Sequence, residues 1–307
     1  MDLVEANQQG IDDMYNLFVA QEISKEQYQI FQCRAEEYRT AKKYDIVIAE
    51  GFLPWIENQD VIIKRLQELT ADDGIIVITC IDHIGLFIET MKRLLGWAMA
   101  SNLDSYEDKV SYLAGIFGPQ LVKLRGVSRS AEDWVRDMIL NPAGSNNLEL
   151  SINQAIRLFE EDFDVLGSSP NMFTDYSWYK DIWFDYIRDY KQQFSEERMS
   201  FLMANMPEKI LHSAQVDQLE RYFASVRKLA AAYEKETDKK YIMCILENMG
   251  KISEILGDFD VDFRSVFCDI QYALSDLIQR GAVDLEKYPH LFPAFGRSQQ
   301  YIAFMKK

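Results

Sequence analysis

Two unbroken runs of β-branched residues dominate the hydrophobic pattern, Ile46-Val47-Ile48 and Ile75-Ile76-Val77-Ile78. Runs with no polar alternate fit strands covered on both faces, as in the parallel sheets of α/β proteins. Between them Ile62, Leu66 and Leu69 recur at helical spacing, and Asp72-Asp73-Gly74 then breaks the chain before the second run. The order predicts strand, helix and parallel strand. In open sheets of this type the ligand lies beyond the carboxyl ends of the strands, so Glu50-Gly51-Phe52 and Cys80-Ile81-Asp82-His83 are expected to face it.

The rest of the chain fills in around this unit. Asp2 to Asn7 reads as the tail of a strand, followed by a helix with Ile11, Met14, Leu17, Phe18 and Ile23 on its apolar side. A short strand is expected between Gln27 and Cys33, and an apolar helix from Ile84 to Met99 that carries Glu89, Lys92 and Arg93. From Tyr106 to Glu161 the pattern is mostly helical, with Ser130 and Asp133 as an N-cap pair ahead of Trp134 and a loop at Pro142 to Asn147. A strand is predicted over Asp162 to Gly167, then long helices to about Tyr288. Leu219, Phe223, Val226 and Tyr233 form one apolar stripe there, and Ile242, Leu246, Met249, Ile252 and Leu256 another, as in a bundle core. Gln299 to Met305 returns to strand chemistry, which suggests that the bundle is inserted within the sheet domain.

Composition narrows the partners. With 33 basic against 49 acidic residues the net charge is −16, which repels a phosphate backbone and anionic lipid over most of the surface. Nucleic acid is therefore not an expected main partner. Cys33, Cys80, Cys244 and Cys268 are far apart and form no Cys-x-x-Cys, the pattern of a reduced, cytoplasmic chain. No basic segment followed by an apolar run opens the sequence, and the most apolar helix is too short to span a bilayer, so neither a signal peptide nor a membrane anchor is expected. His83, His212 and His290 have no ligand spacing with one another or with Cys, so no metal is expected.

The order of these motifs resembles the class I S-adenosylmethionine-dependent methyltransferases, over about residues 1 to 100, 160 to 182 and 294 to 306. The resemblance implies a Rossmann-like, mostly parallel α/β sheet flanked by helices, with a large helical insertion before the last strand. Residues 1–182 would form the methyltransferase-like domain with a helical lid segment at about 104–160, 183–290 the insertion, and 291–307 the returning strand. In that family the second strand ends in an acid that holds the ribose hydroxyls, and Glu5 matches it, one carboxylate serving two vicinal donors. Ala35 and Glu36 match the segment beside adenine, where Arg34 replaces the common acid. Ala49, Glu50 and Gly51 match the segment beside the methionine part and the transferred methyl, and small residues there let a ligand approach the backbone. The family's first strand and glycine-rich loop have no counterpart: no Gly-x-Gly stands in the chain. The sequence is therefore expected to be amino-terminally incomplete.

Methyl transfer is an in-line displacement from an activated sulfonium, so alignment and desolvation supply much of the rate. His83 is the candidate base and Glu50 a second catalytic candidate that could bind an amine; a cap or surface role remains open for His83. Arg129, Trp134, Asp175, Trp178 and Tyr179 are candidates for binding a small-molecule or modified sugar or peptide acceptor, or for packing between bundle and sheet. The insertion could equally serve as a lid or as a homodimer surface. The alternative reading is a non-catalytic relative whose helical insertion binds protein.

Overall fold

The chain runs through β1 (Asp2–Val4), α1 (Gln8–Ala20), β2 (Gln29–Phe31), β3 (Tyr44–Ala49), α2 (Gln59–Leu69) and β4 (Thr70–Ile81). It continues through α3 (Phe87–Met99), α4 (Tyr106–Leu121), α5 (Ala131–Trp134), α6 (Ile152–Phe159) and β5 (Phe163–Ser169). It closes with α7 (Tyr190–Glu197), α8 (Ser213–Glu236), α9 (Lys239–Leu256), α10 (Val261–Arg280) and β6 (Gln299–Lys306). This computed structural model describes residues 1–307 apart from 125–126, 128, 146–149, 172–188, 204–212 and 258–260.

The architecture is mixed α/β. β1 and β2 form a parallel pair, and a separate four-stranded sheet has the order β3-β4-β6-β5. β3 and β4 are parallel, while β6 is antiparallel to both β4 and β5. Three strands of the larger sheet thus share one direction, and the last strand in the chain runs against them.

Asp72-Asp73-Gly74 does not precede the strand but lies inside it. Pairing steps from Tyr44↔Thr70 to Ile46↔Ile75, so the acidic turn is bulged out of β4, with Asp73 at φ 61°. Thr70 can hold the strand's start because it is fully buried and its hydroxyl donates to the Leu66 carbonyl at 2.8 Å.

The expectation of two covered faces holds throughout one face and, on the other, only toward the end of β4, where Thr79 and Ile81 are buried. Val47, Ala49, Ile76, Ile78, Ile302 and Phe304 are buried with the apolar sides of α2 and α6. On the other face Ile46 and Ile48 are 61% and 64% exposed. β3 is the edge of its sheet, and among the described residues nothing is packed over that side of it.

A second core gathers the helices. Its members come from α3, α4 and α5 as well as from α8, α9 and α10, so residues of 84–140 pack with residues of 199–295. Phe87 of α3 lies with its ring centroid 4.6 Å from that of Phe223 in α8 and 6.0 Å from that of Phe267 in α10. Leu219, Phe223, Val226, Tyr233, Ile242, Met249, Ile252 and Leu256 are all buried in it, and Leu246 packs at its margin. The charges of α3 do not mark a wet face: Glu89, Lys92 and Arg93 are buried. Among the described residues no helix is long and apolar enough to cross a membrane, and no group of three or more His, Cys, Asp or Glu could hold a metal ion.

Candidate functional site

β1 and β3 are tied at their starts. The Tyr44 hydroxyl donates to the Asp2 carboxylate at 2.6 Å, Tyr38 shares a hydrogen bond with Tyr44 at 2.8 Å, and Lys42 approaches Asp2 at 2.9 Å. The bond from Tyr44, then that from Lys42, holds the Asp2 carboxyl below the usual carboxylate range. Burial and the Asp2 contact raise the Tyr44 hydroxyl. Beyond this tie the two strands line one cavity of about 240 Å³, with Leu3 and Val4 on one side and Ile46 to Ala49 on the other. Among the described residues β1 pairs only with β2, and β3 only with β4.

Glu5 follows β1. Its N–H donates to the Phe31 carbonyl at 3.1 Å, and its Oε1 accepts the Asn7 N–H at 2.7 Å, at the N-cap of α1. A positive helix end favours the carboxylate there. Gly10 makes room for it, since a Cβ at that position would stand 3.1 Å from the Glu5 carboxyl carbon. The second oxygen, Oε2, makes no hydrogen bond among the described residues. Ala35 and Glu36 lie in the turn after β2, closed by N–H groups of Glu37 and Tyr38 on the Arg34 carbonyl at 3.0 and 3.2 Å. Ala35 lines the cavity, and Glu36 stands 3.9 Å from the exposed Arg34 guanidinium.

After β3, Ala49 is buried, Glu50 is exposed, and Gly51 turns the chain at φ 80° with open space where a Cβ would be. The Gly51 N–H donates to Thr79 Oγ1 at 2.9 Å, and Glu50 accepts the Tyr301 hydroxyl at 2.8 Å. Thr79 and Tyr301 are cross-strand partners, so β6 fixes this rim from the far side. Burial, then the Glu50 hydrogen bond, raises the Tyr301 hydroxyl, and the Arg129 charge opposes them. Arg129 itself is ion-paired with Asp137.

The other predicted residues fall elsewhere. His83 is 6% exposed. Its neighbour Asp82 accepts the Ile84 N–H at 2.8 Å in the turn before α3 and pairs with Arg198 at 2.5 Å. Arg198 also holds Glu220 at 2.6 Å. Trp134 is buried, its ring 5.5 Å from Phe117 and 5.7 Å from Phe295. Asp175, Trp178 and Tyr179 lie outside the described residues. The structure therefore brings Glu50 and Gly51 together with Thr79 and Tyr301, which the sequence reading missed. The alternation Tyr301, Ala303, Met305 was the available signal for Tyr301. Arg198 and Glu220 gave no signal, because Arg198 reaches Asp82, and Glu220 reaches Arg198, from distant helical segments.

Chemically, the ends of β1 and β3 carry carboxylates, each with one oxygen that accepts no hydrogen bond among the described residues, beside small residues. Such a rim suits a ligand that presents hydroxyl or amine donors to it.

The fold is similar to PKMT2 from Rickettsia typhi. With the form in complex with AdoHcy the TM-score is 0.40 at 13% identity, and with a second structure of that protein it is 0.42 at 16%. Both matches take in 58% of this chain and 37% of the other, so the chain spans little more than a third of those proteins' length. No family model and no curated protein matches the chain.

Proposed function

We propose that the protein is an S-adenosylmethionine-dependent methyltransferase acting on a small-molecule or modified sugar or peptide acceptor. The observation that carries this reading is Glu5. It stands at the carboxyl end of a strand in a parallel pair, seated on a helix end, with one carboxylate oxygen unengaged among the described residues. That is what two ribose hydroxyls need. Ala35 and Glu36 would border adenine, and Ala49, Glu50 and Gly51 the methionine end, where the missing Cβ of Gly51 leaves open space. When bound, the cofactor supplies an activated methyl group. The residues of this chain then bind and orient, with Glu50 as acceptor of an amine or hydroxyl proton.

The residues present fit the ribose and adenine parts of the cofactor; the glycine-rich loop of the family is not among them. The slot between β1 and β3, flanked by two strand edges without a ladder partner, supports placing the family's first strand there. The helical segment between β5 and β6 is, in this reading, an insertion that covers the acceptor.

The test is calorimetric titration of AdoHcy into the protein purified from its native host. One-to-one binding is expected, weakened roughly tenfold or more by Glu5→Gln, the worth of one charged hydrogen bond. Absence of AdoHcy binding would overturn the reading in favour of a non-catalytic protein that binds partners through its helices.

A further inference from the structure

Away from this rim, the carboxyl ends of α3 and α8 meet the start of α4 around a cavity of about 450 Å³. That volume is within the range of small-molecule sites. Its floor is apolar and rigid. Trp97 is held by its indole N–H on the Ile139 carbonyl at 2.9 Å, and Leu140 beside it is buried. Behind them the Arg93 guanidinium lies 6.0 Å from the Trp97 ring and binds both oxygens of Glu234, at 2.7 and 2.8 Å. The two side chains are 6% and 5% exposed, so the Glu234 carboxylate in the wall is neutralised in place.

The rim has an unusual balance for a chain of net charge −16. Lys109 and Lys235 both line the cavity, and neither ammonium group makes an ion pair or hydrogen bond among the described residues. The Lys109 ammonium stands 5.8 Å from the Trp97 ring centroid. Asp104 is on the rim as well, next to the exposed ring of Tyr106. Flat apolar surface below and two uncommitted ammonium groups above ask for a planar ligand with one anionic group. Asp104 opposes the anion, and the two ammonium groups outweigh it.

We infer that this cavity is a binding site for a small planar aromatic carboxylate. The inference is independent of the methyltransferase reading, since no residue of the β1–β3 rim takes part. The ring lies against Trp97 and Leu140, and the carboxylate reaches Lys109 and Lys235.

The experiment is calorimetry with 2-naphthoate and with the uncharged 2-naphthamide, on the full chain and on Lys109→Met/Lys235→Met. Methionine keeps most of each stem at two surface positions, and a melting curve of the ligand-free variant confirms that it folds. One naphthoate per chain is expected, with binding about fivefold weaker for the amide and about fivefold weaker in the variant, the scale of two exposed ionic contacts. Equal affinity for acid and amide, unchanged affinity in the variant, or no binding of naphthoate would each overturn the inference.

Discussion

Arg198 shows how single side chains join the sheet to the helices. It is 3% exposed and lies between Asp82, at the end of β4 and fully buried, and Glu220 of α8. Burial works against the guanidinium's charge, yet the two carboxylates outweigh it and hold the proton more tightly than usual. Burial would raise Glu220, and Arg198 pulls it below its ordinary range. Arg198→Met leaves buried Asp82, among the described residues, with only the Ile84 and Gly85 N–H groups as partners. A loss of about 3–5 kcal/mol is expected in urea unfolding, with partial recovery when Asp82→Asn is added. An unchanged midpoint for the single variant would show that the link carries no stability. This residue was invisible in the sequence because its partner is 116 positions away. The strand ends that carry Glu5, Ala49 and Gly51 were legible, because the end of a strand is a place that local pattern can define.

At the scale of elements, α3 departs most from its pattern. Its charges fall every three or four residues, which normally marks a solvated stripe, but the helix is enclosed by α4, α8 and α10. Lys92 is pushed down to about 7 by burial, against the pull of Glu89, and lies 3.4 Å over the Phe295 ring. Burial raises Glu89, whose Oε1 accepts the Gly296 N–H at 2.9 Å. The signs follow from proton counts. Between pH 7 and the unfolded lysine value of about 10.4 the unfolded chain binds more protons at Lys92, so stability rises with pH. Above the ordinary glutamate value of about 4.3 the folded chain binds more at Glu89, so stability falls as pH rises toward its folded value. Together the pair produces a trough near neutrality. Glu89→Gln/Lys92→Met keeps the acceptor for Gly296 and should flatten the profile and leave stability at pH 7 equal or up to about 4 kcal/mol higher. Urea titrations at a series of pH values read this directly; a variant with the same trough would exclude the pair as its source. Element boundaries were otherwise well marked by local chemistry. The Ser130 hydroxyl accepts the Asp133 N–H at 3.0 Å as its spacing implied. The acidic turn inside β4 was not, because a bulge and a strand boundary leave the same trace when pairing is unknown.

For the molecule as a whole, the misread feature is the sheet's second face. A β-branched run shows that a segment prefers extended backbone and apolar contact. It does not contain the element that would provide that contact. The structure leaves Ile46 and Ile48 exposed on an edge strand, with Leu166 and Met305 also exposed on the same sheet. Edge strands with apolar faces are sites of association, and here the acidic surface of the chain opposes it. Salt screens that repulsion and leaves apolar attraction in place. The protein should therefore self-associate as salt is raised, seen as a growing fast-sedimenting fraction. Ile46→Thr/Ile48→Thr keeps the branching that strands favour and should suppress this fraction. Because both side chains stay more than half exposed in the folded chain, the cost to stability should stay within about 1 kcal/mol. A larger loss would mean that these side chains are covered in solution, and salt-independent sedimentation of the unmodified chain would mean that the open face does not recruit a second copy.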